Sequence, residues 1–170
     1  MPFLEHKTKE TKDEASKLYQ HNSGGIPRST SIPVDGKHLC AWTPIIKPLL
    51  ESKVVLISSG GVYRTDQTPF NPDKNDLTFR EIPVGTDVSD LKISHDNYDH
   101  RDADRDINCV FPLERLRELA VDGFIGELAE VQLTFMGRIF RKSALLGEMI
   151  PAIIARLKAM KVDMAFLVPA

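Results

Sequence analysis

The feature of this sequence that most limits its fold is a short apolar run, Lys53–Ile57, which reads KVVLI. A strand with one solvent-exposed face alternates apolar and polar residues. An unbroken β-branched run is instead typical of a strand buried on both faces, as in parallel sheets. Val131–Phe135 also reads as a short strand, and Met164–Val168 as a second fully apolar strand. The sequence therefore predicts a sheet that is covered on both of its faces.

Helices are predicted between these strands. Pro112–Val121 begins at a proline, carries an apolar stripe, and is followed by Gly123, which can supply a left-handed cap. A second helix is predicted between Ser143 and Met160, where Pro151 must either kink the helix or stand in its true first turn. This order of elements predicts an α/β fold with an open, mostly parallel, Rossmann-like sheet and flanking helices.

The chain divides into an arm and a domain. Residues 1–41 are predicted to form a flexible N-terminal arm, because Asn22–Ser31 is rich in Gly, Ser and Pro. Residues 42–170 are predicted to form a single α/β domain, which opens with a short helix over Thr43–Glu51. Within that domain, residues 61–111 show little periodicity and are predicted to be a long irregular insertion.

Composition excludes several classes of protein. The 170 residues carry a formal charge of −2, which disfavours a nucleic-acid-binding protein. No apolar run approaches the roughly 20 residues that span a bilayer, and the N-terminus has no signal-peptide core. Two cysteines cannot form a disulfide framework, so a cytoplasmic protein is expected.

Charge is unevenly distributed along the chain. Residues 66–106 hold eleven acidic side chains against five basic ones, whereas 138–161 holds six basic side chains against Glu148 alone. The two regions attract each other within the fold, or each meets a partner of opposite sign.

The first candidate site is the turn Ser58-Ser59-Gly60-Gly61, directly after the first strand. Ligands of open α/β sheets bind at the carboxyl ends of strands. No helix pattern follows these glycines, which disfavours a phosphate-binding loop. The turn either lines a substrate pocket or is a plain sharp turn.

The segment His95–Asp106 is the second candidate, with two imidazoles and five carboxylates. Its spacing fits no known metal motif, so it is interpreted as a polar wall of an active site or as a solvated, internally paired loop. Arg80 is a third candidate: it either clamps a substrate carboxylate or pairs with a neighbouring acid. Cys109 is interpreted as a buried small hydrophobe, which leaves no convincing redox nucleophile.

A series of short motifs in one order resembles a known family. The motifs are FREIP (Phe79–Pro83), VSDLKISH (Val88–His95), YD (Tyr98–Asp99), DxDRDINCVFP (Asp102–Pro112), RLRELA (Arg115–Ala120), DGFIG (Asp122–Gly126) and FMG (Phe135–Gly137). Together they resemble the selenoprotein B family of glycine, sarcosine, betaine and D-proline reductases. The WTP of Trp42–Pro44 is most similar to the D-proline reductase members. The resemblance covers 42–170 and leaves out 1–41.

The resemblance implies a reaction and its partners. A selenocysteine attacks the α-carbon of an amino acid or amine, whose C–N bond is reductively cleaved. A partner subunit carries a pyruvoyl group that captures the amine, and a dithiol or thioredoxin-like donor restores the oxidised selenium. An oligomer is expected, and no metal is implied.

The resemblance also implies where the chemistry lies. In this family the selenocysteine follows the strand that here ends at Pro169-Ala170, so we expect it directly after Ala170 and expect this chain to be a fragment that is inactive alone. The other expected pocket residues are Ser58, Ser59, Gly60, Gly61, Arg80, His95, Asp99, Met136, Gly137 and Pro169. His95 or Arg80 is expected to support the redox residue as a cationic or hydrogen-bonding neighbour.

Two other functions are left open. One is a non-catalytic binding or assembly domain that has the same fold without the redox motif. The other is a metal-dependent hydrolase that uses His95, Asp99 and His100.

Overall fold

The structure is a computed structural model that describes residues 31–33, 39–41, 45–73 and 75–170. The strands are β1 Ser31–Pro33, β2 Leu39–Ala41, β3 Lys53–Ser58, β4 Val62–Arg64, β5 Phe79–Pro83, β6 Leu91–Ile93, β7 Glu127–Leu128, β8 Val131–Phe135 and β9 Met164–Val168. The helices are α1 Arg101–Arg105, α2 Leu113–Val121, α3 Lys142–Ala144 and α4 Ile150–Ala159.

The predicted arm lies mostly outside the described residues. Within it, β1 and β2 form an antiparallel pair. The first two residues of the predicted helix Thr43–Glu51 are also outside the described part, and its end is only a 3₁₀ turn, Leu49–Glu51.

The main sheet is built around β3. Strand β9 pairs with β3 in parallel along five residues, from Val54 opposite Met164 to Ser58 opposite Val168. On the other side β7 and β8 also run parallel to β3, and β5 runs antiparallel to β8 at the edge. The predicted α/β fold with a mostly parallel sheet is confirmed. The narrower Rossmann-like arrangement is not confirmed, because the sheet is mixed.

Both faces of β3 are covered, which explains its unbroken apolar sequence. Leu56 packs with Leu113 and Leu116 of α2 on one face. On the opposite face Val55 packs with Leu133 of β8 and Ile153 of α4. Each such buried aliphatic side chain contributes about 1.5–3 kcal/mol of transfer free energy, so the two layers stabilise the sheet from both sides.

A buried glutamine bridges a break in the sheet between β7 and β8. The backbone N–H of Leu56 donates to Oε1 of Gln132 at 2.7 Å, and Nε2 of Gln132 donates to the carbonyl of Ala129 at 2.8 Å. The side-chain amide thus replaces a hydrogen bond between strands, and it satisfies two buried backbone groups that would otherwise lack a partner.

The two helices predicted between the strands are confirmed in position. Helix α2 ends before Gly123, whose φ of 75° is the left-handed conformation expected of a cap. The predicted Ser143–Met160 helix begins with α3, continues as a π-helical turn over Leu145–Met149 and ends as α4. Pro151 stands in the first turn of α4, where its missing N–H is tolerated.

The irregular insertion predicted over residues 61–111 is wrong in part. Strands β4 and β6 pair with each other in this segment, β5 joins the main sheet, and α1 follows. These elements are only three to five residues long, so they leave little periodic signal in the sequence.

Two further features of the described chain concern its surface. Cys109 is exposed, so its prediction as a buried hydrophobe is wrong: it ends a 3₁₀ turn whose N-cap, Asp106, accepts from the Asn108 N–H. Strand β9 leaves apolar side chains uncovered, with Phe166 47% and Leu167 67% exposed.

No helix in the described ranges is long and apolar enough to cross a membrane.

Candidate functional site at the carboxyl edge of the sheet

Three parallel strands of the sheet end side by side. The turn Ser58–Gly61 follows β3, Met136-Gly137 follows β8, and Pro169-Ala170 follows β9. The Gly137 N–H donates to the carbonyl of Ser59 at 2.8 Å, and Gly60 forms an isolated bridge with Met136. The structure therefore brings together the strand-end residues predicted for the pocket, at the edge where α/β sheets bind ligands.

The two serines of the turn differ in their environment. The Ser58 hydroxyl is buried, donates to the carbonyl of Val110 at 2.7 Å and accepts from the Gly60 N–H at 3.0 Å. The Ser59 hydroxyl accepts from the Ala170 N–H at 3.0 Å. The Ser58 hydroxyl thus stabilises the turn from its buried side, whereas the Ser59 hydroxyl connects the end of β9 to the end of β3.

A loop from β6 lies over this edge at Gly61. Gly61 has a φ of 68°, and a Cβ on it would lie 2.7 Å from the carbonyl oxygen of Ser94. The Ser94 N–H also donates to the Gly61 carbonyl at 2.9 Å. Only glycine permits this approach, which places the next residue, His95, against the turn.

His95 is a buried hydrogen-bond donor at the edge of the sheet. Its side chain is 4% exposed. Its Nδ1 accepts from the Asn97 N–H at 3.1 Å, so the proton of the neutral ring is on Nε2. That Nε2 has no hydrogen-bond partner among the described residues. A Cβ placed on Gly137 would lie 3.4 Å from it, so the donor faces the end of β8.

The surroundings of His95 favour its neutral form. Burial is the main cause that lowers the pKa of His95 below its ordinary value; nearby Asp96 raises that pKa, and the charges of Arg138 and His100 lower it. The imidazole is therefore an uncharged N–H donor at neutral pH.

Tyr98 is a site residue that sequence reasoning did not select. Its hydroxyl donates to the Gly60 carbonyl at 3.1 Å, and its ring meets that of His95 edge-on with centroids 4.8 Å apart. Burial, with a smaller contribution from Asp104, raises the pKa of Tyr98 to about 12. In the sequence, the YD motif of Tyr98–Asp99 was the feature from which Tyr98 could have been selected.

A second residue missed by sequence reasoning is Thr134 of β8. Its hydroxyl is fully buried and has no hydrogen-bond partner in the described part of the chain. Thr134 pairs with Ser58 on one side and with Arg80 on the other. No motif signalled it, because a threonine within an apolar strand reads as a β-former.

The side chains of Arg80 and Asp99 are engaged elsewhere. Arg80 donates through Nε to the Thr68 carbonyl at 2.9 Å and lies over the ring of Phe70. Asp99 is exposed and pairs with the guanidinium of Arg101, which lowers the pKa of Asp99. Among the described residues, neither side chain is hydrogen-bonded to His95.

The histidines of this loop do not assemble a metal centre in the described structure. His100 pairs with Asp104, Nδ1 to Oδ2 at 2.8 Å, whereas Nδ1 of His95 is occupied by a backbone N–H. Among the residues described, no group of three or more His, Cys, Asp or Glu side chains is placed to bind a metal ion.

The opposite edge of the sheet carries a separate cavity of about 390 Å³, lined by residues that include Ile45, Lys47 and Asp163. Lys47 and Asp163 form an ion pair there at 2.8 Å. This cavity lies at the amino ends of β3 and β9, away from the predicted residues. The carboxyl edge thus holds a buried neutral N–H donor, Nε2 of His95, and the hydroxyls of Ser58, Ser59 and Tyr98 at the ends of three strands.

Comparison with known proteins adds a family to this geometry. The sequence profile of "Glycine/sarcosine/betaine reductase selenoprotein B" matches residues 9–170. The match begins well before Trp42, so the expectation that the resemblance leaves out 1–41 is wrong for residues 9–41. No solved structure matches the chain significantly.

Individual relatives agree with the family match. The chain is 38% identical over 126 residues to D-proline reductase subunit gamma of Acetoanaerobium sticklandii, covering 74% of this chain and 52% of that protein. It is 26% identical over 118 residues to glycine reductase complex component B subunit gamma of Symbiobacterium thermophilum (66% and 27%). It is 30% identical over 105 residues to sarcosine reductase complex component B subunit beta of Peptoclostridium acidaminophilum (55% and 22%). The matched regions thus span about half or less of these relatives.

Proposed function

Because this chain belongs to the glycine/sarcosine/betaine reductase selenoprotein B family, we propose that it is part of a subunit that reductively cleaves the C–N bond of a small amino acid or amine, with D-proline as the first candidate. The observation that carries this proposal is the family match over residues 9–170 together with the 38% identity to a D-proline reductase subunit.

The proposed reaction needs components that this chain does not supply. Cleavage of one C–N bond adds two electrons and two protons to the substrate: one proton goes to the released nitrogen and one to the carbon. A dithiol supplies the electrons and becomes a disulfide. A selenocysteine directly after Ala170 would supply the nucleophile, and a partner subunit with a pyruvoyl group would hold the substrate nitrogen.

The residues of this chain are suited to hold such a centre. Ser59 accepts from the Ala170 N–H at 3.0 Å and so fixes the backbone from which the redox residue would extend. The Nε2–H of His95 faces Gly137, and Gly137 is hydrogen-bonded to Ser59. In this proposal these residues orient the reacting groups, and Tyr98 holds the loop that carries His95 against the turn.

The proposal is tested with the longer protein, including the residues after Ala170, assembled with its pyruvoyl-bearing partner and supplied with a dithiol. We expect consumption of D-proline that depends on both subunits and stops when the residue after Ala170 is replaced by serine. Glycine, sarcosine and betaine are measured in parallel to identify the substrate.

Absence of turnover with all four substrates, in a complex shown to be assembled, would overturn the proposal. The non-catalytic binding or assembly domain would then be the better description. In that case the complex still forms, but replacing the residue after Ala170 changes neither assembly nor the activity of the partner.

A further inference from the structure

The helix over residues 142–159 is apolar on its outer side as well as on its inner side. It runs without a break through α3, the π-helical turn and α4. On the inner side, Met149 and Ile153 are buried against the main sheet. On the outer side, Leu146 is 66% exposed and Ile154 is 44% exposed. The apolar side chains that recur about once per turn on this side form the outer stripe, which comprises Leu146, Ile150 and Ile154.

Charged residues are scarce along this helix. Between Ser143 and Leu157 only Glu148 and Arg156 are charged, and Arg156 is paired with Glu81. A helix on the surface of a globular domain normally carries charged residues on its outer face, whereas a helix that is apolar all round is normally buried. Helix α2, on the opposite face of the sheet, follows that rule, because four of its nine residues are charged. The 142–159 helix therefore has the composition of a helix that is covered on both sides.

Exposed basic side chains lie at both ends of the outer stripe. They are Arg138, Arg141 and Lys142 at the start of the helix and Lys158 and Lys161 at its end. Within the part of the chain that the structure describes, none of the five has an ion-pair partner. An apolar centre bordered by polar groups is the composition of a protein–protein interface.

The start of the helix has further features of an interface. Phe140 is 69% exposed, and the guanidinium of Arg138 lies 5.7 Å from the centre of its ring. Aromatic and arginine side chains are enriched among the residues that dominate binding energy at interfaces. This end of the helix also follows the carboxyl end of β8 through a short loop that starts at Gly137. A protein bound here would therefore lie beside the candidate site.

The charges indicate what kind of surface covers the outer stripe. Two copies of the helix packed side by side, in either direction, would bring basic ends against basic ends, and like charges in contact oppose association. A surface with carboxylates around an apolar ridge would instead pair with both ends of the helix while it covers the stripe.

We infer that the outer stripe and the basic residues at its ends are a docking surface for another protein subunit, one that presents an apolar ridge bordered by carboxylates. The inference rests on the proposed function, which supplies such a subunit: the partner that carries the pyruvoyl group.

The first test measures the affinity between the longer protein, including the residues after Ala170, and the pyruvoyl-bearing partner by biolayer interferometry. Leu146→Glu and Ile154→Glu each place a negative charge against the expected carboxylates, so each is expected to weaken binding about tenfold or more. Val121→Glu is the matched control and is expected to bind normally, because Val121 is exposed on α2, across the sheet. Wild-type affinity in both stripe variants would overturn the inference.

A second set of variants tests the basic ends. The double variant Arg141→Glu, Lys142→Glu is expected to weaken binding and to reduce its dependence on salt. Glutamate at the start of a helix is favourable, so the loss is not expected to come from unfolding. Lys92→Glu, which removes an exposed cation of β6, is the matched control and is expected to bind normally. Binding of the wild type that is equal at low and high salt would contradict the charged border.

Cross-linking identifies the occupant and separates this inference from the proposed function. Benzoylphenylalanine is introduced in place of Leu146, or of Val121 as the control, in the longer protein mixed with its partner. Cross-links from the Leu146 site to the partner support the inference, whereas cross-links to a second copy, to the same chain or to nothing overturn it. If these cross-links form but no complex reduces a substrate, the docking surface stands and the proposed function fails. If the complex reduces D-proline and the stripe variants assemble normally, the docking surface is wrong and the proposed function stands.

Discussion

The guanidinium of Arg156 donates two hydrogen bonds to the Glu81 carboxylate, with Nε 2.7 Å from Oε1 and Nη2 2.9 Å from Oε2. This bidentate ion pair joins α4 to β5, the antiparallel edge strand of the main sheet. It also joins the basic region 138–161 to the acidic region 66–106, so at least one pair realises their attraction within the fold.

We expect this pair to stabilise the folded chain modestly. Its side chains are 32% and 38% exposed, so a double-mutant cycle with Glu81→Gln and Arg156→Gln should give a coupling energy of about 1 kcal/mol. Urea unfolding at low and high salt measures it. The exposed Arg115–Glu118 pair within α2 is the control, and its coupling should be smaller. Equal couplings for the two pairs would contradict the prediction.

Acidification should destabilise the chain through His95. Burial lowers the pKa of His95 below 6.5 in the folded chain. At pH values between that lowered pKa and 6.5, His95 is therefore protonated in the unfolded chain but neutral in the folded chain. The contribution of His95 to stability is therefore fully present above pH 6.5 and is lost as the pH drops toward the lowered pKa, by at most about 1.4 kcal/mol per pH unit. Urea unfolding at several pH values should show this slope in wild type and in His100→Gln, and a flatter profile in His95→Gln. An unchanged slope in His95→Gln would assign the effect to other groups.

Gly61 should tolerate no side chain. Alanine there must adopt a φ of 68° and place its Cβ 2.7 Å from the Ser94 carbonyl oxygen, so Gly61→Ala should cost at least about 2 kcal/mol. A Cβ at Gly85 meets nothing within 4 Å, so Gly85→Ala is the matched control and should be nearly neutral. Thermal and urea unfolding compare the two, and similar stabilities would refute the predicted strain.

Removal of the Tyr98 hydroxyl should loosen the loop over the turn. Tyr98→Phe loses the hydrogen bond to the Gly60 carbonyl, which is expected to cost about 1 kcal/mol. The ultraviolet titration difference between wild type and Tyr98→Phe should show one phenol with a pKa of about 12. A difference titration near pH 10 would mean that this phenol is solvated instead of buried.

Much of the fold was predictable from periodicity and turn residues. The run at β3 is apolar because both faces of this central strand are covered, and such a run is visible in one sequence. Strand β5 was missed because only Ile82 of its five residues is buried and its partner, β8, lies some 50 positions later. Pairing at such a distance is a tertiary effect that local pattern does not report.

The candidate site was predictable in its location and less so in its atoms. The rule about strand ends placed Ser58–Gly61, Met136 and Gly137 at one edge. It did not place the side chain of Arg80, because a sequence does not show that the carbonyls of a neighbouring loop will accept hydrogen bonds from this guanidinium. The tautomer of His95 likewise depends on one backbone N–H, which only the folded loop provides.

The parallel pairing of β3 with β9 also bears on how the chain folds, because it joins two strands that lie far apart in the sequence. Val54 is opposite Met164, so the central strand must wait for a partner 110 positions later in the chain, and loops of that size close slowly. Until then one edge of β3 offers unpaired backbone groups flanked by apolar side chains, an arrangement prone to pair with other chains. The yield of folded protein should therefore depend on how quickly the last strand docks, and a chaperone that shields β3 during this interval would raise that yield.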